Sequence, residues 1–279
     1  MSTTDLTYHT KAGNPIRATL YGSPLEGQKP CIIYTHGFKG FRNWGFVPHA
    51  GEFFASHGYA FLAFDFSHNG IGEDGETFSE LGKFEQNTFL TEVSELDEII
   101  TQVAHTNWLG SDLKGKIGLV GHSRGGGISL LAAQNRKEIQ AVATWASVST
   151  LDRYDKATKQ TWRQKGYHEV MNSRTGQTMR MGLPMLNELE RFANTKLNVL
   201  SAVQNLQRPL LIVHGHNDET VPFYEAEQLN IYGSPELTHL RLIPGANHTF
   251  GATHPFQKES PTLKLLLEST LAFFDQHLA

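Results

Sequence analysis

One short stretch of the sequence combines a reactive side chain with the residues that would expose it. Ser123 lies in the pattern Gly-x-Ser-x-Gly, with Gly121 and Gly125 on its two sides. Apolar residues 117–120 precede the pattern, and a glycine-rich apolar run at 126–133 follows it. A strand that turns at once into a helix, with this pattern at the junction, is typical of a nucleophile elbow, in which glycines avoid Cβ collisions. The stretch therefore predicts that Ser123 is an exposed nucleophile.

A serine nucleophile needs hydrogen-bond donors for the negative charge that develops on the attacked carbonyl oxygen. The helix predicted after Ser123 begins with unpaired N–H groups and with the positive end of its dipole. The backbone N–H of Arg124 is therefore the first candidate donor. The second candidate is the N–H of Phe38, because it follows the apolar strand 31–35. Taken alone, the run at 36–38 would be interpreted as a simple turn.

Two further polar side chains follow apolar strands beyond the nucleophile. Asp218 lies in the loop after the predicted strand 209–213, and His248 lies in the loop after 238–243. An imidazole can take the serine proton, and a carboxylate can orient that imidazole. We therefore predict that His248 and Asp218 complete a triad with the serine. Asp152, which follows the preceding strand, is the competing carboxylate.

Strands and helices alternate along most of the chain, and this order positions the candidate residues. It predicts an α/β fold with a mostly parallel sheet, helices on both faces and functional groups at the carboxyl ends of the strands. A hairpin opens the chain at residues 6–21. The main predicted strands span residues 31–35, 59–66, 117–120, 141–146, 209–213 and 238–243, and the main predicted helices span 46–57, 87–105, 224–232 and 260–277.

The segment 149–205 lacks a strand comparable to the others, and a long insertion between core strands is usually functional. We predict that it forms a cap on a hydrolase core of residues 1–148 and 206–279. Five apolar side chains are expected to line a substrate pocket above the serine: Trp162, Tyr167, Met179, Met181 and Met185. The flexible thioether side chains of methionine suit substrates of varied apolar shape. Alternatively, these five residues serve only to dock the cap on the hydrolase core.

Charge separates the cap from the rest of the chain. The cap has nine basic and five acidic residues, so it carries a net charge of +4 while the remainder carries -8. This difference favours either electrostatic docking of the cap or attraction of anionic substrates. The whole chain of 279 residues has 24 basic and 28 acidic residues, a balance that argues against a nucleic-acid or membrane-surface partner.

The remaining composition indicates the compartment. The single cysteine, Cys31, excludes an intramolecular disulfide and lies in an apolar strand. Residues 1–10 lack the features of a signal peptide, and no apolar run approaches the roughly 18 residues of a transmembrane helix. We expect a soluble, cytoplasmic protein.

The order Ser, Asp, His along the chain is that of α/β-hydrolases. The sequence resembles this superfamily across nearly its whole length. The resemblance is closest to bacterial serine esterases of the feruloyl-esterase-like or acylaminoacyl-peptidase-like branch, and it rests on the motifs at 36–38, 121–125, 214–222 and 245–248. It implies an α/β-hydrolase fold with Ser123, Asp218 and His248 as the triad. The chain has neither the propeller domain of large oligopeptidases nor an evident acidic pair for a substrate's amino terminus.

The sequence thus predicts a serine hydrolase that cleaves a small-molecule carboxylic ester through an acyl-enzyme and needs no cofactor or metal. The ester is expected to carry an apolar or aromatic acyl group. Amidase, peptidase or thioesterase activity on the same triad is an alternative. A metal hydrolase is another, because residues 214–218 partly copy a His-x-His-x-Asp-His zinc motif, although Glu219 replaces the last histidine. A non-catalytic binding protein of this fold would usually have lost one residue of the triad.

Overall fold

The computed structural model of the protein describes residues 2–22, 30–109 and 117–278. The strands are β1 (Thr3–His9), β2 (Pro15–Tyr21), β3 (Cys31–Thr35), β4 (Ala60–Phe64), β5 (Ile117–His122), β6 (Ile139–Trp145), β7 (Tyr167–Asn172), β8 (Gln177–Gly182), β9 (Leu210–Gly215) and β10 (Thr238–Ile243). The helices are α1 (Val47–Ser56), α2 (Leu81–Gln86), α3 (Phe89–His105), α4 (Arg124–Ala133), α5 (Lys156–Lys165), α6 (Leu183–Phe192), α7 (Val199–Asn205), α8 (Tyr224–Tyr232) and α9 (Pro261–Leu278).

A central sheet of eight strands has the order β1-β2-β4-β3-β5-β6-β9-β10. The first two strands form the predicted hairpin, and β2 also pairs antiparallel with β4. From β4 to β10 all neighbouring strands are parallel. The mostly parallel sheet predicted from the alternation of elements is therefore confirmed. Because parallel strands end at one edge, the loops after β3, β5, β9 and β10 meet there.

Helices cover both faces of the sheet, as the fold class requires. On one face, α1 and α9 bury Phe54 and Leu266 in a cluster with the strand residue Trp145. On the other face, α3 and α4 bury Leu96 and Ile128 in a second cluster. Strands buried on both sides explain the continuous apolar runs in the sequence, since neither face contacts solvent. Within the described residues, no helix is long and apolar enough to cross a membrane.

The segment 149–205 contains α5, the antiparallel hairpin of β7 and β8, then α6 and α7. Asp155 caps the start of α5, since its Oδ1 accepts a hydrogen bond from the Thr158 N–H at 2.7 Å. Gly166 ends that helix in the left-handed conformation at φ 85°. A turn at residues 173–176 joins the two strands of the hairpin. Lys39 Nζ, in the loop after β3, donates to the Met171 carbonyl of the hairpin at 2.9 Å. The tip of the hairpin therefore lies near this loop, at the carboxyl edge of the central sheet.

Candidate active site

Ser123 occupies a strained turn between β5 and α4. Its φ of 56° and ψ of -123° lie in a region that side chains with a Cβ rarely adopt. A Cβ at Gly121 would lie 2.4 Å from the Gly125 carbonyl oxygen, and a Cβ at Gly125 would lie 2.2 Å from the Thr35 carbonyl oxygen. Both glycines are therefore required by close backbone approach, which is the reason inferred from the sequence.

The structure brings together the three side chains singled out in the sequence. His248 Nε2 lies 3.0 Å from Ser123 Oγ, and His248 Nδ1 lies 2.7 Å from Asp218 Oδ2. Both distances are within hydrogen-bond range. The competing carboxylate, Asp152, instead pairs with Lys159. The arrangement permits proton transfer from the hydroxyl to the imidazole, with the carboxylate fixing the imidazole on its other side.

Asp218 is fully buried at its side chain and has hydrogen-bond donors for both carboxylate oxygens. Its Oδ1 accepts from the N–H groups of Thr220 and Val221, each at 2.9 Å. His214 Nε2 lies 3.3 Å from Asp218 Oδ2, the same oxygen that accepts from His248 Nδ1. Burial raises the pKa of the Asp218 carboxyl, but the side-chain bonds from His214 and His248 outweigh this and hold the pKa below its usual value. The carboxylate therefore stays charged and accepts the Nδ1–H of His248.

The two backbone groups predicted to stabilise an oxyanion both lie beside the serine. Arg124 is the first residue of α4, so its N–H has no partner within the helix. Phe38 follows β3, and the preceding Gly37 lies against the nucleophile: a Cβ at Gly37 would be 2.9 Å from Ser123 Cβ. Phe38 and Arg124 border a common cavity with Ser123. Their function as oxyanion donors stays a prediction.

Two buried histidines that the sequence reasoning missed support these loops. His36 Nε2 accepts from the Phe66 N–H at 3.2 Å, so its Nδ1 carries the proton and donates to the Gly37 carbonyl at 2.9 Å. His122 Nε2 donates to the His248 carbonyl at 3.0 Å. Burial lowers the pKa of His36 to about 4, and burial together with the neighbouring His248 lowers the pKa of His122 to about 3. Both rings are therefore neutral near pH 7 and act as fixed hydrogen-bond partners of the backbone.

Two cavities border Ser123, one on each side. The first, which we name the histidine-side cavity, has a volume of about 460 Å³ and is lined by His248, Phe38, Lys39, Phe41, Trp44, Phe78, Asn172, Arg174 and neighbouring residues. The second, the arginine-side cavity, has a volume of about 270 Å³ and is lined by Phe38, Phe89, Arg124, Val148, Leu151, Arg153, Tyr154, Val170, Thr220 and Val221. His248 borders only the first of the two, so they differ in their access to the imidazole.

The five cap residues predicted to line a substrate pocket border neither of these cavities. Four of them are almost fully buried in the hydrophobic core, with exposures of 0% for Trp162, 1% for Met179 and 2% for Met181 and Met185. The Tyr167 ring instead packs against the Arg180 guanidinium, with 4.2 Å between the ring centroid and Arg180 Cζ. This corrects the predicted pocket. Trp162 packs on Tyr154 and His168 inside the cap, whereas β8 and α6, which carry the three methionines, pack against α2 of the hydrolase core. The cap borders the cavities through Leu151, Arg153, Tyr154, Val170, Asn172, Ser173 and Arg174.

The partial zinc motif does not gather ligands in the structure. Across residues 2–22, 30–109 and 117–278, no group of three or more His, Cys, Asp or Glu side chains is arranged to hold a metal ion. His214 instead donates to the Val221 carbonyl at 2.7 Å, and the His216 ring stacks on Phe223 with 4.6 Å between ring centroids. The described geometry thus gives the metal-hydrolase alternative no support.

Comparisons with known proteins identify the family. A model of the prolyl oligopeptidase family matches residues 44–279. No curated protein matches the sequence significantly.

Solved structures match over the whole chain at low sequence identity. Est1E from Butyrivibrio proteoclasticus with bound ferulic acid is 21% identical with a TM-score of 0.74, covering 98% of this chain and 99% of that one. Dienelactone hydrolase from Anabaena variabilis is 17% identical with a TM-score of 0.65, covering 100% of both chains. A puromycin-hydrolyzing peptidase of Mycobacterium tuberculosis is 18% identical with a TM-score of 0.69, covering 99% of this chain and 39% of that one. These likenesses confirm the α/β-hydrolase fold.

Proposed function

Because the chain belongs to the prolyl oligopeptidase family, we propose that it hydrolyses carboxylic esters through a covalent intermediate on Ser123. The observation that carries this proposal is the continuous hydrogen-bonded arrangement from Ser123 through His248 to Asp218. A serine nucleophile requires an imidazole that accepts its proton and a carboxylate that fixes the imidazole tautomer. The strained turn at Ser123 adds support, because such strain persists where function requires it.

In the proposed reaction, Asp218 holds the Nδ1–H of His248, which leaves Nε2 as the proton acceptor. Ser123 Oγ forms a bond with the carbonyl carbon while its proton passes to Nε2. The N–H groups of Phe38 and Arg124 stabilise the oxyanion. His248 then gives the proton to the departing oxygen as the carbon–oxygen bond breaks. A water molecule attacks the acyl-enzyme in the same way, which releases the acid and restores the serine hydroxyl.

The proposed substrate is an ester with an apolar or aromatic acyl group. Val148, Leu151 and Tyr154 give the arginine-side cavity an apolar wall of suitable size. Within the described residues, no carboxylate lines either cavity beside the serine. A terminal ammonium group of a peptide would therefore meet no opposite charge there, which disfavours peptides that are recognised by a free amino terminus.

Amidase or peptidase activity is the second candidate, because the matched family is named for an oligopeptidase. A thioesterase would use the same residues. Hydrolysis of 4-nitrophenyl acetate and of 4-nitroacetanilide, each compared with its uncatalysed rate, separates the candidates. We expect the larger acceleration for the ester, and a larger acceleration for the anilide would favour the amidase.

The nucleophile is tested directly with a fluorophosphonate, which should label Ser123 stoichiometrically. Ser123→Ala should abolish labelling and reduce kcat by several orders of magnitude, because the residual rate comes only from binding and the oxyanion donors. Ser173→Ala is the matched control, since this serine also lines the histidine-side cavity, whereas the hydroxyl bonded to His248 Nε2 is that of Ser123. Full labelling of the Ser123→Ala protein would show that another residue is the nucleophile.

A further inference from the structure

The histidine-side cavity combines aromatic walls with positive charge. Phe41, Trp44 and Phe78 line it, together with the cations Lys39 and Arg174. No Asp or Glu side chain lines this cavity in the part of the chain that the structure describes. An apolar cavity with cations and no carboxylate attracts a ligand that is itself anionic.

Both cations are held at the cavity by specific contacts. Lys39 Nζ donates to the Met171 carbonyl at 2.9 Å, and the backbone of Lys39 has a φ of 58°. That conformation is uncommon for a side chain with a Cβ, so the loop holds a lysine where a glycine would be less strained. Burial lowers the pKa of the Lys39 ammonium group. Arg174 Cζ lies 5.9 Å from the centroid of the Phe41 ring, which places its guanidinium beside the aromatic wall.

A buried amide in the same wall lacks a partner. Asn172 is only 6% exposed, and its Oδ1 accepts from the Arg174 N–H at 3.2 Å. This bond fixes which side-chain atom is the oxygen, so Nδ2 is the donor that the described structure leaves without an acceptor. A buried donor without a partner costs free energy. Because this atom has almost no accessible surface, Asn172 contributes to the wall through its Oδ1, which positions the backbone of Arg174.

The other cavity has no comparable excess of charge. Arg124 is paired with Glu92 at 2.6 Å, and Arg153 is paired with Glu225. Each cation there has a carboxylate behind the cavity wall. Behind the wall of the histidine-side cavity, Glu76 pairs with His254 Nε2 at 3.2 Å, and among the described residues neither Lys39 nor Arg174 forms an ion pair with a carboxylate. The excess positive charge beside Ser123 therefore lies on the side of His248.

The reaction assigns a role to that side. In the proposed function, on which this inference rests, His248 Nε2 must give its proton to the departing oxygen, so the leaving group lies beside the imidazole. We infer that the histidine-side cavity binds a leaving group that carries an anionic substituent on an apolar or aromatic frame, with Lys39 and Arg174 contacting the anion. The substrate class is the ester of a hydroxycarboxylate or a similar hydroxylated anion. Its cleavage releases the hydroxycarboxylate and leaves the acyl group on Ser123.

A binding measurement tests the inference without turnover. Calorimetry on the Ser123→Ala protein compares 4-hydroxybenzoate with its neutral methyl ester. We expect the anion to bind more tightly, and we expect added Lys39→Asn or Arg174→Met to weaken its binding about tenfold or more, because each removes a charged hydrogen-bond donor. Asparagine is chosen because it tolerates positive φ. Equal affinities for the two ligands, or unchanged affinity in both variants, would overturn the inference.

A matched control is available in the same hairpin. Arg180 is a cation of β8 that lies 3.7 Å from Glu169 and outside the cavity. Arg180→Met removes the same charge and should leave the affinity for 4-hydroxybenzoate unchanged. If it weakens binding as much as Arg174→Met, the general charge of the cap attracts the anion and the assigned contacts are wrong.

Kinetics then locate the anion on the substrate. Lys39→Asn and Arg174→Met should lower kcat/KM for 4-acetoxybenzoate relative to its methyl ester about tenfold, chiefly through KM. Phenyl hemisuccinate, which carries its carboxylate on the acyl side, should show no such loss relative to phenyl butyrate. A loss confined to the hemisuccinate would move the anion to the acyl group and overturn the inference. Absent fluorophosphonate labelling of Ser123 would instead contradict the proposed function and leave the calorimetric result standing.

Discussion

The loops that carry Ser123, Asp218 and His248 and the cap contribute to the same candidate site by different physical means. The loops are fixed by hydrogen bonds: Asp218 accepts from two backbone N–H groups, and His122 ties the carbonyl of His248. The cap is held mainly by apolar packing, with Met179 on β8 only 1% exposed and β8 packed against α2, while Arg174 near the hairpin tip is exposed. Directional bonds fix positions to fractions of an ångström, whereas packed side chains define a surface. We therefore expect substitutions in these loops to change whether the proposed reaction occurs, and substitutions in the cap to change which groups fit.

The largest effect should come from the hydrogen-bonded core. Asp218→Asn places an amide N–H where the carboxylate accepts from His248, which disfavours the reactive imidazole tautomer. We expect kcat to fall by about 10⁴-fold, as for the corresponding change in other serine hydrolases. Steady-state kinetics with 4-nitrophenyl acetate would measure this loss.

Asp152→Asn is the matched control in the cap. Its carboxylate pairs with Lys159 near the surface, and such pairs contribute little. We expect kcat to stay within about twofold, because the change is worth less than about 1 kcal/mol. If Asp152→Asn causes the larger loss, the carboxylate that orients His248 has been wrongly assigned.

A smaller, substrate-dependent effect should come from the cap. Val170 on β7 lines the arginine-side cavity, which we assign to the acyl group. Val170→Phe should fill part of this cavity and lower kcat/KM for 4-nitrophenyl hexanoate relative to the acetate about tenfold, because a methylene in an apolar pocket is worth about 1–3 kcal/mol. Chromogenic esters of graded acyl length would show the change as a shortened preferred chain.

The next residue along the strand provides the control. Met171 is 65% exposed and borders neither cavity, so Met171→Phe adds a ring at the neighbouring position without filling the acyl site. Its chain-length profile should match that of the unaltered protein. Identical profiles for both variants would show that the arginine-side cavity does not bind the acyl group.

The contrast between core and cap also explains what the sequence could predict. Ser123, Asp218 and His248 each follow an apolar strand, and parallel strands bring their carboxyl ends to one edge whatever the details of packing. Local patterns were therefore sufficient for these residues. No local pattern indicates the bonds of the buried histidines: His36 accepts from the Phe66 N–H, and His122 donates to the His248 carbonyl. His214 donates to the Val221 carbonyl in its own loop.

The cap pocket could not be predicted for a physical reason. Met179 and Met181 alternate along β8 with the exposed residues Thr178 and Arg180, a period that indicates one buried face. The period does not say what covers that face. In the structure the buried face of β8 is covered by the hydrolase core, including α2. This helix has six residues, which is too short to give a helical pattern in the sequence. The apolar residues of the cap consequently stabilise its docking, and other residues border the substrate cavities.

The smallest effect on turnover should come from substituting Glu95, a buried ionisable residue that lies away from the reacting atoms. Glu95 is 3% exposed and accepts from the Ser67 N–H at 2.9 Å; burial raises the pKa of its carboxyl from 4.5 to about 7. Between these pH values the folded protein keeps a proton that the unfolded chain has released, so the contribution of Glu95 to stability falls as the pH rises.

Glu95→Gln tests this effect, because glutamine resembles the protonated carboxyl at every pH. At about 1.4 kcal/mol per pH unit, its free energy of unfolding relative to the unaltered protein should rise by on the order of 2 kcal/mol between pH 5 and pH 8. Urea denaturation at several pH values measures this, with the exposed Glu268→Gln as control, and kcat should not change. A pH-independent difference would show that Glu95 is charged throughout, and a large loss of kcat would show that core charges and catalysis are not separable.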